Sequence, residues 1–232
     1  MRKFLDWLLS SGKRERDVRD AADKLQLSMR TTAKCRYNAS VRLHHQNKYS
    51  FFTTTVLSLG LVFIPLMQSA DLRLAFKPNV LNVMQIFLGV AVMVYSLVIS
   101  SARYDLRAAQ LTECGDKLKE LIRDIDRERE ANAGVIATQK LTEYQKTYSD
   151  IVTDVENHER NDYRFATLEM INDYFIRGIP RVKLYAEAQF IRAIDYLLPT
   201  LLMTIEAIFI TDMMGGTQFL TKYLNGAMVT GG

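Results

Sequence analysis

Two stretches of the chain carry no Asp, Glu, Lys or Arg: the 22 residues from Tyr49 to Ala70 and the 25 from Pro78 to Ala102. At about 1.5 Å of rise per residue, either is long enough as a helix to cross a hydrocarbon layer about 30 Å thick. The short segment between them, Asp71 to Lys77, predicts a tight turn closed by Pro78, so the pair is a membrane hairpin. Ahead of it, Asp17 to Lys48 contains neither Gly nor Pro. That window predicts a helix running straight into the first span, which Pro65 would kink near its far end.

Beyond the second span the apolar positions change rhythm. Leu111, Cys114, Leu118, Leu121 and Ile125 follow a 3,4,3,4 spacing on an otherwise charged background, the pattern of a helical seam. Ala131 to Gly134 weakens the helix, and Leu141, Tyr144, Tyr148, Ile151 and Val155 then repeat the pattern. Two cytoplasmic helices closing as a hairpin, or pairing between chains, would account for both stripes. Leu111, Leu118, Leu121, Ile125, Leu141, Tyr144, Tyr148, Ile151 and Val155 are therefore the candidate assembly seam. Further helices are expected over Tyr163 to Arg177, stopped by Gly178 and Pro180, and over Val182 to Arg192.

A third apolar region follows, but its charge-free core, Tyr196 to Ile205, has only ten residues, flanked by Asp195 and Glu206 and containing Pro199. A full span there would hold an acid inside the membrane, so a buried or interfacial helix is expected. The tail from Gly215 to Gly232 is expected to be loosely ordered. The fold class is an all-α membrane protein, a two-transmembrane hairpin with long cytoplasmic helices. Its parts are a basic N-terminal helical segment (1–48), the hairpin (49–102, with spans 49–70 and 78–102), a cytoplasmic helical domain (103–193) and an apolar C-terminal helix with its tail (194–232).

Charge orients the hairpin. From Met1 to Lys48 there are 12 basic residues against five acids, whereas Arg103 to Arg192 holds 15 basic and 17 acidic residues. The overall charge of +4 is thus an excess beside the membrane and no nucleic-acid footprint. Arg30, Lys34, Arg36, Arg42 and Lys48 precede the first span without an acid among them, and Arg103, Arg107, Lys117 and Lys119 follow the second. Only Arg73 and Lys77 lie between. The positive-inside rule then places the N-terminus and both ends of the hairpin in the cytoplasm, and the protein in the inner membrane. The opening Arg2, Lys3, Phe4, Leu5 is similar to the start of a signal peptide, but Asp6 interrupts the apolar run after two residues.

Catalytic chemistry finds little support. Cys35 and Cys114 fall on the cytoplasmic side, where structural disulfides are rare, and read as packing residues. Adjacent His44 and His45 point about 100° apart on a helix and cannot chelate one ion together. His158 and Asp162 share a helix spacing, but a metal site needs more ligands, and a helix cap using Asn157 or Asp162 is the more economical reading. No Gly-x-Ser-x-Gly, phosphate loop, Gly-x-Gly-x-x-Gly or Cys-x-x-Cys is present. No enzyme, cofactor or metal is expected.

The spans themselves are two-sided. In the second, Asn82, Gln85, Gly89, Met93, Ser96 and Ser100 fall within an arc of about 80° on a helical wheel. In the first, Ser50, Thr54, Ser58, Pro65 and Gln68 form a similar stripe. Such a face either joins helices through close approach and hydrogen bonds or lines water. Asn82, Gln85, Gly89, Ser96, Ser100, Ser50, Thr54 and Ser58 are the candidate pore or helix-contact face.

The basic helix with Cys35, Arg36, Tyr37, Asn38, Ala39 and His44, His45, the tight hairpin, the charged helix after it, and the segment Glu156, Asn157, His158 with Asp162, Tyr163 together resemble the SLATT family. These are the SMODS and SLOG associated two-transmembrane effectors of prokaryotic conflict systems. The likeness covers about residues 20 to 165, and its last segment is similar to the branch found with reverse transcriptases. The resemblance implies a non-enzymatic, pore-forming or membrane-disrupting antiviral effector. It also implies a homo-oligomer in the lipid bilayer, regulated by a partner such as a reverse transcriptase or a nucleotide-signalling enzyme, with no direct nucleic-acid binding. Two rival readings are a membrane-anchored sensor or scaffold that binds a partner through its cytoplasmic helices, and an enzyme using the Glu156 to Asp162 cluster.

Overall fold

A computed structural model of the chain describes residues 14–70 and 72–224. The signal-like opening, Asp71 of the turn, and the tail from 225 onward lie outside the described residues. Helices account for the architecture: α1 (Ala21–Ser69), α2 (Pro78–Ala102), α3 (Tyr104–Ala131), α4 (Thr138–Thr153), α5 (Arg160–Glu169), α6 (Gly178–Ile194), α7 (Leu197–Met213) and the single turn α8 (Thr221–Leu224). Among the described residues no strand forms; one antiparallel bridge joins Glu15 to Tyr174. The chain is an all-α membrane protein in which α1 and the α2 region are long and apolar enough to cross a bilayer.

Two compact units divide the chain, one built from residues 1–45 and 104–194, the other from 46–103 and 195–232. In the first, the two periodic stripes and the start of α1 close on one another. Leu25 and Met29 pack with Leu121 and Ile125, and against Leu141, Tyr144, Tyr148 and Ile151. Ala33 packs with Cys114 and Leu118, and Ala39 and Leu43 with Ala108 and Leu111, Val155 lying against both groups. Between α3 and α4 the backbone turns at Ala133 (φ 52°) and Gly134 (φ 89°), and the Gly134 N–H returns to the Arg129 carbonyl at 2.8 Å. That is the left-handed exit a helix end favours.

The expected helix from Tyr163 to Arg177 is a correction: α5 ends at Glu169, and Met170 to Arg177 is turns and bridge. Gly178 and Pro180 open α6 where a stop was expected. A proline in the first helical turn removes an N–H that has no partner there anyway, so the residue that cannot continue a helix begins one.

In the second unit, α1, α2 and α7 share a core of Leu57, Ile64, Leu81, Met84, Leu88, Phe209 and Met213, to which the turn adds Phe76. Phe76 stacks on Phe209 with ring centroids 4.6 Å apart and planes 11° from parallel. Pro78 sits at the first position of α2 behind an extended Lys77, an arrangement that sets φ for the helix in advance. Outward, Phe51, Phe52, Leu59, Val62 and Leu66 on α1, and Val83, Ile86, Val90, Val94 and Leu97 on α2, are each half exposed or more. A continuous apolar surface of this size is the surface a hydrocarbon solvent requires.

Candidate functional site: the membrane hairpin and the helical unit

The polar stripes of the two spans are used differently along their length. Near the turn, Gln85 donates to the Gln68 carbonyl oxygen, and Gln68 donates in turn to Asn82 Oδ1 at 3.5 Å. These three amides form a relay between α1 and α2, satisfying groups that would otherwise be stranded in hydrocarbon. At the other end, Ser50 Oγ and Tyr95 OH lie 3.1 Å apart. Between these ends Gly89 leaves only the Leu61 methyl at contact distance, 4.0 Å from where a Cβ would stand. Thr54 turns its hydroxyl back to the Ser50 carbonyl at 3.0 Å.

Ser96 and Ser100 take another part. With Asn47, Lys48, Phe51, Thr54 and Ile99 they line an open groove of about 430 Å³ at the end of the hairpin away from the turn. Ser58 is half-buried on α1, and Met93 of the same wheel is exposed. The structure thus brings Asn82, Gln85 and Gln68 together as a contact, and Thr54, Ser96 and Ser100 together along an open, mostly apolar groove.

Helix α7 follows the first span from one end to the other. At its start, Gln46 donates to Asp195 at 2.9 Å, Tyr49 and Tyr196 meet edge to face at 5.0 Å, and the Tyr49 and Thr200 hydroxyls are 2.8 Å apart. At its finish, the Ala75 N–H donates to the Met213 carbonyl at 3.0 Å. The segment beyond, expected to be loose, is gathered as far as Leu224 by Asp212, whose carboxylate accepts from the Thr217 hydroxyl and from the backbone N–H of Phe219, Leu220 and Thr221.

In the other unit the two segments quoted for the family resemblance prove to be one network. Arg36, 3% exposed, donates to the Val152 carbonyl in the last turn of α4, where the helix presents bare acceptors, and to the Glu156 carbonyl just beyond it. Asn38 reaches the Asp162 carbonyl at 3.4 Å, and Arg42 grips the Asp162 carboxylate. Asp162 also accepts from the Glu159 N–H at 3.0 Å as one half of a capping box at the start of α5. Tyr37 donates to Asp116 at 2.5 Å beneath the Lys119 ammonium, 4.1 Å from its ring.

Beside this network a cavity of about 390 Å³ is lined by Lys24, Thr31, Cys35, Tyr148, His158, Tyr163 and Tyr174, among others. Burial, and then the Arg36 guanidinium, depress the His158 imidazole below its ordinary value. Burial pushes the Cys35 thiol up to about 12, and Cys114 is raised as well, so both are free, buried and protonated near neutrality. His44 lies 3.8 Å from Asp105. Among the described residues no three His, Cys, Asp or Glu side chains are grouped to hold a metal ion.

The seam residues are accounted for within the chain: Leu111, Leu118, Leu121 and Ile125 are buried, and Leu141, Tyr144, Tyr148, Ile151 and Val155 half-buried against them. Sequence reasoning missed the interior use of Arg36 and Arg42, which look like membrane-flanking charges in a linear reading. It also missed the placement of Glu206 beneath Gly60. The first left no signal in the sequence, since an acid at a helix start such as Asp162 is already served by the helix's own N–H groups.

The family model of the SMODS and SLOG-associating two-transmembrane effector domain, family 5, matches residues 18–211, from just before α1 to the end of α7. No curated protein and no solved structure matches the chain. With its hairpin, the network of Arg36, Arg42 and Asp162 and nearly all of α7 inside the matched region, the chain belongs to family 5 of the SMODS and SLOG-associating two-transmembrane effectors.

Proposed function

We propose that this effector acts as a regulated, non-enzymatic pore of the inner membrane, assembled from several copies, in a prokaryotic antiviral system. One observation carries the reading: the polar face of the hairpin is consumed as helix contact near the turn, whereas Thr54, Ser96 and Ser100 line an open groove. The Ser96 and Ser100 hydroxyls beside this groove, toward the end of the hairpin away from the turn, suit the mouth of an aqueous path once neighbouring copies close its open side. The seam of α3 and α4 is occupied by α1, so copies would meet through the hairpin surfaces.

The N-terminus lies in the cytoplasm under this reading, by the positive flanks. Helix α7, tied to the start of the first span and to the turn that follows it, would make a third crossing: 17 residues rise about 26 Å, close to the hydrocarbon thickness. The cytoplasmic unit would receive the activating event from a partner protein, a reverse transcriptase or a nucleotide-signalling enzyme, through the network of Arg36, Arg42, His158 and Asp162.

The test pairs two measurements on one variant, Ser96→Leu: ion flux from liposomes and oligomer size in detergent. Loss of flux with the oligomer intact supports the pore. Loss of both assigns the face to helix contact. Full flux with an intact oligomer removes Ser96 from the path, and no flux from the wild type in liposomes favours the sensor or scaffold reading.

A further inference from the structure

Helix α7 carries one acid in its apolar middle. Glu206 is 1% exposed and lies against Gly60 of α1, the midpoint of the charge-free run from Tyr49 to Ala70. A Cβ on Gly60 would stand 1.7 Å from Glu206 Oε1 and 2.7 Å from Cδ, so hydrogen is the only side chain that leaves room for the carboxyl group. Among the described residues no side chain bonds to either carboxyl oxygen, and the nearest polar group is the Gly60 backbone. The groove over it, about 570 Å³, is walled by Val56, Leu59, Phe63, Ala207, Ile210 and Thr211. The Thr211 hydroxyl is already turned back to the Ala207 and Ile208 carbonyls.

No charged group faces this acid from any helix packed on it. The spans of α1 and α2 hold no Asp, Glu, Lys or Arg, and their His are absent too. On α7 the nearest acid, Asp212, is occupied by Thr217 and three backbone N–H groups. An unpaired carboxylate in such surroundings costs several kcal/mol, whereas the neutral acid costs about as much as any lone hydroxyl. The two protonation states therefore prefer different places for the side chain.

We propose that Glu206 is a proton-binding site within the membrane, neutral while α7 lies on Gly60, and that transfer of its proton to water drives the side chain out of the Gly60 notch and detaches the middle of α7 from α1. The ligand is the proton alone: a carboxylic acid and a water become a carboxylate and a hydronium ion. The inference needs no pore; it rests on the proposed crossing of the bilayer by α7 and concerns only the contact between α7 and α1.

The full chain in phosphatidylcholine liposomes is treated with dicyclohexylcarbodiimide, which adds to protonated carboxyl groups in apolar surroundings, and the adduct is mapped by peptide mass spectrometry. The expected adduct is on Glu206 at about pH 6, with labelling falling about tenfold per pH unit above the midpoint. In parallel, hydrogen exchange of the α7 amides is compared with that of Glu206→Gln at each pH, which cancels the intrinsic pH dependence of exchange. The two proteins should match at low pH, and the wild type alone should lose protection as pH rises. Absence of a Glu206 adduct between about pH 5 and 9 overturns the proposal. So does identical α7 exchange in both proteins across that range. If Glu206→Gln does not fold, the wild-type labelling curve still decides.

Discussion

Arg42 and Asp162, 120 positions apart, meet through two parallel hydrogen bonds, Nε to Oδ1 and Nη2 to Oδ2, each 3.1 Å long. Asp162 is 2% exposed and Arg42 8%, and Glu159 adds a third contact to Arg42 at 2.9 Å. The fork of a guanidinium matches a carboxylate in a way an ammonium cannot. Removing one partner strands the other's charge away from water, so Asp162→Ala is expected to cost about 3 to 5 kcal/mol. Arg42→Lys keeps the charge but loses the fork, so it should cost less than Asp162→Ala, as read by thermal unfolding in detergent.

Tyr37 sets a second expectation. A Cβ on Gly115 would stand 2.8 Å from Cζ of the Tyr37 ring, so Gly115→Ala forces the ring off its place between α1 and α3. Overpacking of this kind costs about 1 to 3 kcal/mol. The loss should shrink when Tyr37→Ala is added, because the ring that clashes is gone; equal losses with and without Tyr37 would remove the ring as the cause.

The His158 imidazole gives the pH dependence on the acid side. Its value in the folded chain is depressed below 6.5, first by burial and then by Arg36. The unfolded chain therefore binds the proton more readily. This contribution to stability is present above about pH 6.5 and is lost as pH falls through the depressed value. His158→Gln should flatten the acid limb of a melting-temperature profile between about pH 7 and 5, while leaving the neutral plateau nearly in place.

On the alkaline side, Cys35 works in the opposite direction. Its thiol is raised to about 12 from the ordinary 9.0, mainly by burial. Stability from this group is present below about pH 9 and is lost as pH climbs toward 12. Maleimide should fail to label Cys35 in the folded chain at about pH 8 and label it fully after denaturation.

Topology offers the most direct check on the membrane reading. Reporters inserted within Ala131 to Gly134 should report the cytoplasm, and one between Leu72 and Phe76 the outside. A reporter fused after Leu224 separates two crossings from three: an outside signal places α7 across the bilayer, and a cytoplasmic one returns it to the inner side.

What could be read in advance follows from the range of the forces involved. The spans were legible because absence of charge over 22 and 25 residues is a local property, and the stripes at Leu118 or Tyr148 because helical spacing is local too. Pro180 misled because a proline after a glycine marks either the end of one helix or the first turn of the next, and only the packing of α5 on α6, through Asn161 and the Ala188 carbonyl at 3.1 Å, decides between them. The pairs Arg42 with Asp162 and Gly60 with Glu206 join positions more than 100 residues apart, and no window of sequence contains both members.

The seat that Gly60 offers to Glu206 also bears on how the protein is made. During synthesis α1 and α2 leave the ribosome first, carrying no charge across their spans, and can enter the bilayer as a pair. Helix α7 emerges much later with an acid at its centre, for which an isolated helix pays about 2.5 to 3.5 kcal/mol if charged. A crossing by α7 would therefore be templated: the notch in α1 would have to be in the membrane when α7 arrives. Chain order matches that requirement, and a circular permutant presenting α7 before α1 should insert poorly although every residue is retained.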